Sequence, residues 1–229
     1  MKRIYLVLII LIIVAILLFL VDLGLGVIGG EENFLASLLA RGKYLFNLVN
    51  KENTLGRFGP SDLVELSWLG AKGKYVRAVA IVDLTDLMIA AKKSGAELKI
   101  ISGYRNYDEQ KSLFFYYSAI SKEAPMFSAQ AGHSEHQLGT AIDFGTGNED
   151  VDLTGAFAKT KQGRWLEKNA WKFGFSLSYS EGKEKITGYQ YEPWHWRYIG
   201  KKAAKDWYDS GLTLQEFLSS KKQYYKEDN

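Results

Sequence analysis

Three histidines occur in this sequence, and two of them lie in its most unusual local patterns. His136 belongs to the segment GHSEHQLGTAIDF at 132–144, and His195 belongs to YEPWHW at 191–196. A catalytic zinc ion is held by three protein ligands, usually imidazole nitrogens and carboxylate oxygens, with one position left for water. Together with Asp143, these two histidines can supply such a ligand set.

A hydrolytic zinc site also needs a group that moves protons. The metal acidifies a water molecule and polarises the substrate carbonyl, and a nearby carboxylate takes the proton and passes it to the leaving amine. Glu192, three residues before His195, can be this base. The small residues Gly139 and Ala141 permit a turn that brings the first two ligands to one ion. A histidine and an aspartate seven residues apart are weak evidence without further motifs.

Further motifs are present, and together they resemble the VanY-type D-alanyl-D-alanine carboxypeptidases, which belong to the LAS zinc metallopeptidases. One signature, S-x-H-x-x-G-x-A-x-D, runs from Ser134 to Asp143, and a second, E-x-x-H, runs from Glu192 to His195. The resemblance extends over roughly residues 45–210. Its other matches, in chain order, are SGYR at 102–105, Gln110, NAWKFGF at 169–175 and TGYQYEPWHWRYIG at 187–200.

The resemblance implies a role for each matching residue. The positions of the zinc ligands are matched by His136, Asp143 and His195. Glu192 matches the general base and acid. Arg105 matches the arginine that stabilises the oxyanion of the tetrahedral intermediate, where a fixed cation acts strongly in a dry site. Ser134 and Gln110 match positions that contact the terminal D-alanine of the substrate.

Structural interpretations compete with several of these roles. A single histidine is more often a hydrogen-bonded structural residue than a ligand, but the combination with Glu192 and Arg105 favours zinc. Arg105 alternatively pairs with a surface acid, and Ser134 and Gln110 alternatively cap backbone groups. His133 matches no ligand position and is predicted to be a loop or rim residue. A serine nucleophile is disfavoured because there is no G-x-S-x-G elbow.

The elements that carry these residues can be predicted from apolar spacing. Helices are predicted over residues 76–95, 106–120, 164–175 and 200–218. Strands are predicted over residues 97–105, 140–145 and 186–199. Because strands and helices do not alternate regularly, we expect an α+β fold with a small, mostly antiparallel sheet flanked by helices. The resemblance implies that this fold is LAS metallopeptidase-like.

The aromatic residues near the second signature are assigned from the same pattern. Core packing on a strand is predicted for Trp194, Trp196 and Tyr198. Tyr189 and Tyr191 are candidates for the lining of a substrate groove.

The N-terminal sequence predicts a transmembrane helix. A basic pair at 2–3 precedes an apolar run over 4–21 that continues, after one acidic residue, to residue 28. About 20 apolar residues cross a bilayer, whereas the apolar core of a signal peptide has about 7–15 and ends in a small-residue cleavage site. Residues 4–28 are therefore predicted to be an uncleaved signal anchor, with cleavage as the alternative. The positive-inside rule places the N-terminus in the cytoplasm and the rest of this single-pass membrane protein outside.

The remaining 200 or so residues suit one globular domain. We predict a juxtamembrane connector at 29–50, a catalytic domain at 51–220 and a polar tail at 221–229. The chain has no cysteine, which excludes thiol catalysis, disulfides and thiolate zinc sites. Its net charge of +3 does not indicate nucleic-acid binding.

These observations predict a zinc-dependent carboxypeptidase that removes the C-terminal D-alanine from peptidoglycan stem peptides. The motifs serve both a D,D-carboxypeptidase, acting on pentapeptides, and an L,D-carboxypeptidase, acting on tetrapeptides. A wall-binding module without turnover is a third possibility, but it would not need both Glu192 and Arg105. A membrane-anchored interaction protein without metal is a fourth. The sequence does not specify the oligomeric state.

Overall fold

A computed structural model describes residues 44–221 of the chain. Six strands are present in this part: β1 Leu63–Leu66, β2 Ala71–Arg77, β3 Lys99–Ser102, β4 Ala141–Gly145, β5 Phe175–Leu177 and β6 His195–Tyr198. The α-helices there are α1 Ile81–Lys93, α2 Tyr107–Ile120, α3 Ala124–Phe127, α4 Lys161–Asn169, α5 Glu184–Thr187, α6 Lys201–Ser210 and α7 Leu214–Lys221. Short 3-10 helices lie at Ser67–Leu69, Ala78–Ala80, Glu135–Leu138, Gly155–Lys159 and Ala170–Phe173.

The strands form two antiparallel sheets, as an α+β fold requires. β1 and β2 make a two-stranded ribbon, and the main sheet has the order β3-β4-β6-β5. The expected fold class is confirmed, and two of the three candidate metal ligands, Asp143 and His195, lie on the two central strands of the main sheet. No helix between residues 44 and 221 combines the length and the apolar character that a bilayer crossing requires.

The two faces of the main sheet differ sharply in chemistry. Successive side chains of a strand point to opposite faces. On β4 and β6, Ile142, Phe144, Trp196 and Tyr198 belong to the hydrophobic core. The intervening residues, such as Asp143, lie on the other face and build the polar site. The buried aromatic residues of β6 therefore have the core role that the sequence predicted.

Helices cover the apolar face of the sheet. Leu84 and Leu87 of α1 and Leu166 of α4 are fully buried in the same core as Phe144 and Trp196. Burying a large apolar side chain contributes about 1.5–3 kcal/mol, so this layer supplies the rigidity that holds the opposite face in place. A smaller cluster around α6 and α7 packs beside it.

Several predicted elements agree with the structure within a few residues. Strands β3 and β4 lie inside the predicted spans 97–105 and 140–145, and helix α2 lies inside 106–120. The side chain of Asn106 caps α2 by accepting a hydrogen bond from the amide of Glu109, whose own side chain accepts from the amide of Asn106. This reciprocal arrangement is the capping box.

The helix predicted over 76–95 begins later than expected. Val76 and Arg77 end strand β2, which pairs with β1, and α1 starts only at Ile81. The ribbon was not predicted because its strands are short and joined by a 3-10 turn that closes on Gly70, with φ of 75°. Apolar spacing alone does not distinguish such a strand end from the first turn of the helix that follows.

The strand predicted over 186–199 is wrong in its first half. Residues 184–187 form the short helix α5, and only His195–Tyr198 is a strand. The intervening chain bends, with the amide of Glu192 donating to the carbonyl of Tyr179 and the amide of His195 donating to the carbonyl of Glu192. This bend brings the side chain of Glu192 towards that of His195.

Two predicted helices differ from the structure in their bounds: the first begins earlier, at Lys161, and each is divided into two elements. The span 164–175 contains the end of α4 and a 3-10 turn, and Gly174 stops it as predicted, with φ of 87°. The span 200–218 contains two helices, α6 and α7, separated at Gly211. Thr213 and Glu216 cap α7 reciprocally, which favours a new helix start over continuation.

The predicted membrane anchor at 4–28, residues 29–43 of the connector and residues 222–229 of the tail lie outside the described residues. The last part of the connector, residues 44–50, is described. Leu45 and Val49 are buried there, and Leu45 belongs to the main core.

Candidate metal centre and active site

The register of two central strands places two of the predicted ligands together. Asp143 on β4 lies directly opposite His195 on β6. The flanking pairs are hydrogen-bonded, since the amide of Phe144 donates to Trp194 and the amide of Tyr198 donates to Thr140. By the alternation of antiparallel ladders, Asp143 and His195 form a non-hydrogen-bonded pair, in which side chains approach more closely. Oδ1 of Asp143 is 3.0 Å from Nδ1 of His195.

The third predicted ligand comes from a turn just before β4. His136 lies on the 3-10 helix Glu135–Leu138, which is capped by the hydroxyl of Ser134 and ends at Gly139 with φ of 72°. A side chain at Gly139 would be strained by this φ and would also lie 2.9 Å from Arg77. The glycine therefore permits the tight turn that the sequence pattern suggested, and Nε2 of His136 reaches 3.2 Å from Oδ2 of Asp143.

These three side chains have the chemistry and spacing of a zinc site. One ligand atom from each of His136, Asp143 and His195 lies within 4.8 Å of the others, and all three residues are buried. Two ligands about 2.1 Å from a tetrahedral ion are about 3.4 Å apart. Nδ1 of His195 and Nε2 of His136 lie 3.0 and 3.2 Å from different oxygens of Asp143, so each histidine–carboxylate pair has a comparable separation. The residues therefore fit a zinc ion, with Nε2 of His136 and Nδ1 of His195 as the ligand nitrogens.

In both His136 and His195, the ring nitrogen that points away from the other ligands lies within hydrogen-bonding distance of an oxygen. Nδ1 of His136 is 2.7 Å from the carbonyl oxygen of Gly103, and Nε2 of His195 is 3.1 Å from Oε2 of Glu135. An acceptor at the outer nitrogen keeps a proton there, so the inner nitrogen is the one that can bind a metal once any proton on it has been displaced.

The SGYR segment positions both His136 and the predicted oxyanion residue. Gly103 packs so tightly on the ribbon that an added Cβ would lie 2.4 Å from the carbonyl oxygen of Tyr75. The amide of Tyr104 donates to that same oxygen at 2.7 Å. The amide of Arg105 donates to the carbonyl of His136 at 3.2 Å. The ribbon that the sequence analysis missed is thus the support for this segment.

Arg105 is held by neutral groups. Its Nη1 donates to Oε1 of Gln110 at 2.7 Å, and its Nη2 donates to the hydroxyl of Ser102 at 3.2 Å. Among residues 44–221, no carboxylate lies within ion-pair distance of Arg105. The alternative prediction, that Arg105 pairs with a surface acid, is therefore wrong for this part of the chain. A guanidinium without a counter-charge remains free to meet a developing oxyanion.

Gln110 and Ser134 both line the site and both make internal hydrogen bonds. The Gln110 amide nitrogen donates to the carbonyl of Ala129 at 2.6 Å while its oxygen accepts from Arg105. The Ser134 hydroxyl accepts from the amide of His136 at 3.3 Å. Ser134 therefore caps a backbone amide, as the alternative interpretation predicted. Contact of Ser134 or Gln110 with substrate stays a prediction.

Glu192 lies beside the ligand set without a hydrogen-bonding partner of its own in the described chain. Its Oε2 is 4.0 Å from Nδ1 of His195. Burial raises the pKa of Glu192 to about 8, with His195 acting in the opposite direction and Asp143 and Glu135 adding to the rise. A carboxyl group with a pKa this high is easily protonated near neutral pH. A cation bound next to Glu192 would lower that pKa and favour the ionised form, which can act as a base.

The buried charges of the ligand set are strongly coupled. Burial alone would lower the pKa of His195, but the hydrogen bonds with Asp143 and Glu135 outweigh it and raise that pKa to about 10. Burial acts to raise the pKa of Asp143, yet the two histidines hold it well below its usual range. Burial lowers the pKa of His136, helped by Arg105 and opposed by Asp143.

A cleft opens over this group of residues. Its cavity volume is about 160 Å³, and its lining contains all the residues predicted for catalysis, metal binding and substrate contact. Tyr189, predicted to face a groove, lines it too, whereas Tyr191 does not. Further apolar and aromatic lining is supplied by Leu113, Tyr117, Phe127, Tyr179 and Trp194.

Three contributors were not identified from the sequence. Glu135 and Arg197 are buried behind His195, and Gly103 supplies the carbonyl for His136. Arg197 could have been suggested by its place two residues after His195, because alternate residues of a strand share a face. His133, predicted to be a loop or rim residue, contacts the carbonyl of Asn50 through Nδ1 at 2.8 Å and takes no part in the ligand group.

Comparison with known proteins agrees with this site. Residues 73–201 match the family model for VanY, described as D-alanyl-D-alanine carboxypeptidase. The protein YodJ of Bacillus subtilis (strain 168) is 42% identical over 207 residues, which cover 87% of this chain and 72% of YodJ.

Two solved structures show the same fold at substantial identity. The LD-carboxypeptidase LdcB superposes with a TM-score of 0.68 at 42% identity, covering 76% of this chain and 86% of LdcB. The vancomycin resistance D,D-pentapeptidase VanY of a VanB-type cassette, in complex with Zn(II), gives a TM-score of 0.64 at 32% identity and covers 76% of this chain and 99% of that one.

Proposed function

Since the chain belongs to the VanY family of D-alanyl-D-alanine carboxypeptidases, we propose that it is a zinc-dependent carboxypeptidase that releases D-alanine from peptidoglycan stem peptides. The observation that carries the proposal is the convergence of His136, Asp143 and His195 in a cleft that also contains Glu192 and Arg105. A binding module would need the fold, but it would not need a proton carrier and a free cation beside the metal ligands.

A zinc ion held here would supply a Lewis acid for the scissile carbonyl and would lower the pKa of a bound water molecule. The ligands for it are His136 Nε2, a carboxylate oxygen of Asp143 and His195 Nδ1. Their outer partners keep both imidazoles in the tautomer that binds metal.

Glu192 is assigned the proton transfers. It accepts a proton from the water that forms the new carbon–oxygen bond, and it delivers that proton to the amine of the leaving D-alanine as the carbon–nitrogen bond breaks. Its place at the edge of the ligand group, without a competing hydrogen bond among the described residues, suits a group that changes protonation state during turnover.

Arg105 is assigned the charge that develops on the carbonyl oxygen. Gln110 and Ser102 fix the guanidinium by accepting from Nη1 and Nη2, and Arg105 lines the cleft. Fixed donors of this kind contribute through preorganisation, because they are already oriented when charge develops.

The D,D-carboxypeptidase activity is the leading candidate, in keeping with the family description. An L,D activity is the second candidate, and it is favoured by the higher identity to the LD-carboxypeptidase LdcB, 42% against 32% for the D,D-pentapeptidase VanY. We further propose that residues 4–28 anchor the protein in the cell membrane, with the catalytic domain outside, where its substrates occur.

The deciding experiment feeds the purified zinc-loaded protein two defined stem peptides, a pentapeptide ending in D-Ala-D-Ala and the tetrapeptide that ends in one D-alanine. D-alanine is measured directly. Release from the pentapeptide supports the D,D assignment, and release from the tetrapeptide alone supports the L,D assignment. Release from neither, with zinc bound, would contradict the proposal of a carboxypeptidase.

A further inference from the structure

A buried acid that has no place in the mechanism above lies directly behind a metal ligand. Glu135 precedes His136 in the chain and is 4% exposed. Its side chain faces away from the cleft, because it does not belong to the cavity lining, and its Oε2 is 3.1 Å from Nε2 of His195. A buried carboxylate costs free energy unless it is paired, so its presence needs an explanation.

Both oxygens of this carboxylate are fully engaged. Arg197 donates through Nη1 to Oε1 at 2.9 Å, and the Ser178 hydroxyl donates to Oε2 at 2.5 Å. Arg197 also brings its buried positive charge next to Glu135, so the side chain is held as a paired carboxylate. The acid is therefore a fixed anion that can only accept hydrogen bonds.

A fixed anion at this place constrains the histidine. With only an acceptor beside Nε2, the imidazole must carry a proton there, and Nδ1 is the nitrogen that presents its lone pair to the metal. Nδ1 is also the atom that faces Asp143 across the strand pair, at 3.0 Å. Glu135 thus sets the orientation of the ring, and Nε2 keeps its proton when a metal displaces the proton at Nδ1.

We propose that Glu135 is a positioning residue for the zinc site, which holds His195 in the tautomer and orientation that bind metal through Nδ1. Arg197 and Ser178 keep Glu135 charged and immobile. The inference deepens the proposed function, since it rests on a metal occupying that site, but it concerns metal binding and not the choice of peptide.

Replacing Glu135 by glutamine gives a sharp test, because the amide cannot satisfy its neighbours. If the amide nitrogen takes the place of Oε2, a donor faces Nε2 of His195 and favours the tautomer that is wrong for the metal. If it takes the place of Oε1, a donor faces the Arg197 guanidinium. Either outcome disturbs the support of His195, although the side chain keeps its size.

The experiment compares the full-length wild-type protein with Glu135→Gln, and it measures zinc affinity by competition with a chromophoric chelator. We expect zinc to bind about 10–100-fold more weakly to the variant, the usual effect of losing an outer partner of a metal-bound histidine. The visible absorption spectrum of the cobalt-substituted protein should also change, because it reports the arrangement of the ligands.

Two control variants separate positioning from general stability. Glu149→Gln makes the same substitution at an exposed position outside the cleft, so its zinc affinity should equal that of wild type. Leu218→Ala destabilises the separate cluster around α7 without touching the site, and it should leave both affinity and cobalt spectrum unchanged.

Equal zinc affinity and equal cobalt spectra for Glu135→Gln and wild type would overturn the inference while leaving the proposed function intact. An equal loss of affinity in Leu218→Ala would also overturn it, by showing that general destabilisation is sufficient. A wild-type protein that binds no zinc would overturn the proposed function, and this inference with it.

Discussion

Oδ1 of Asp143 lies 3.0 Å from Nδ1 of His195, the residue opposite it on the neighbouring strand. Each carboxylate oxygen of Asp143 faces a different imidazole. The other oxygen, Oδ2, is 3.2 Å from Nε2 of His136. The pairing of two strands and one preceding turn therefore suffices to assemble three ligand atoms. Since the carboxylate contacts both histidines, a change at Asp143 alters both contacts.

The change Asp143→Asn should abolish tight zinc binding. An amide replaces one oxygen by a donor, and it removes the negative charge that offsets the metal. We expect a loss in affinity of more than about 100-fold, beyond what the loss of an outer partner costs. Chelator competition measures it. The exposed Asp150→Asn variant is the control, and similar affinities in the two variants would contradict the ligand assignment.

The change Glu192→Gln should separate chemistry from metal binding. The variant keeps the shape of the side chain but cannot accept or deliver a proton, so kcat should fall by about 10²–10⁴-fold with zinc retained. D-alanine release and metal content are measured on the same sample. The exposed Glu149→Gln variant controls for the substitution itself, and wild-type turnover in Glu192→Gln would rule out the assigned base.

Arg105 and Gln110 should act as one unit. Arg105→Met removes the cation, and we expect a fall in kcat of about 10²–10³-fold. Gln110→Leu leaves the cation but removes the acceptor at 2.7 Å, so a smaller fall in the same direction is expected. The double variant should lose little more than Arg105→Met alone, and additive losses would show that Gln110 acts independently, for example on substrate.

A matched arginine control is available for this comparison. Arg57 pairs with Asp108 at the surface, and both side chains are 68% exposed. Arg57→Met should leave kcat unchanged, because an exposed ion pair contributes little.

The charge states of the histidines can be checked in the zinc-free protein. Because the pKa of His195 is raised to about 10, its imidazole should remain doubly protonated at pH 8, whereas His136, with a lowered pKa, should be neutral. Metal must replace the His195 proton, so zinc affinity should fall as pH decreases. Nitrogen-15 NMR of the imidazoles gives each state, and with only three histidines His133→Gln simplifies the assignment. A neutral His195 at pH 8 would contradict the coupling described.

The change Gly103→Ala should damage both fold and site. The added methyl group would meet the Tyr75 carbonyl at 2.4 Å, and such overpacking costs about 1–3 kcal/mol. Relaxing the clash moves the Gly103 carbonyl away from His136, so zinc affinity should fall as well. Urea unfolding and zinc titration measure the two effects. Gly155→Ala, where nothing lies within 4 Å of the new atom, should change neither, and normal zinc binding by Gly103→Ala would contradict the link.

Much of the site could be predicted because its chemistry depends on residue type and short spacing. The motifs from Ser134 to Asp143 and from Glu192 to His195 contain the candidate ligands and the candidate base, and the structure brings these residues together. The antiparallel α+β class was also predictable, since β3, β4 and α2 follow clear local patterns.

What escaped prediction depends on contacts between distant parts of the chain. Glu135 is an unremarkable position in the motif until Arg197, 62 residues later, places a charge beside it. The ribbon of β1 and β2 was assigned partly to a helix because its strands are defined by pairing with each other and not by their own composition. Local patterns do not contain this information, since register is set by tertiary packing.

The buried guanidinium of Arg197, which pairs with Glu135 behind the candidate ligand His195, determines where a shortened version of this protein can begin. Its Nη2 donates to the backbone carbonyls of Leu45 and Asn47 at 2.8 and 2.7 Å. A fragment that starts after residue 50 would leave these donors unsatisfied in the interior, at a cost of about 1–3 kcal/mol for each unmade bond, and would loosen Glu135 from the same side. If such a fragment were inactive, the cause would be the loss of these two hydrogen bonds and not the absence of a membrane. Versions of this protein made without residues 4–28 should therefore begin ahead of Tyr44.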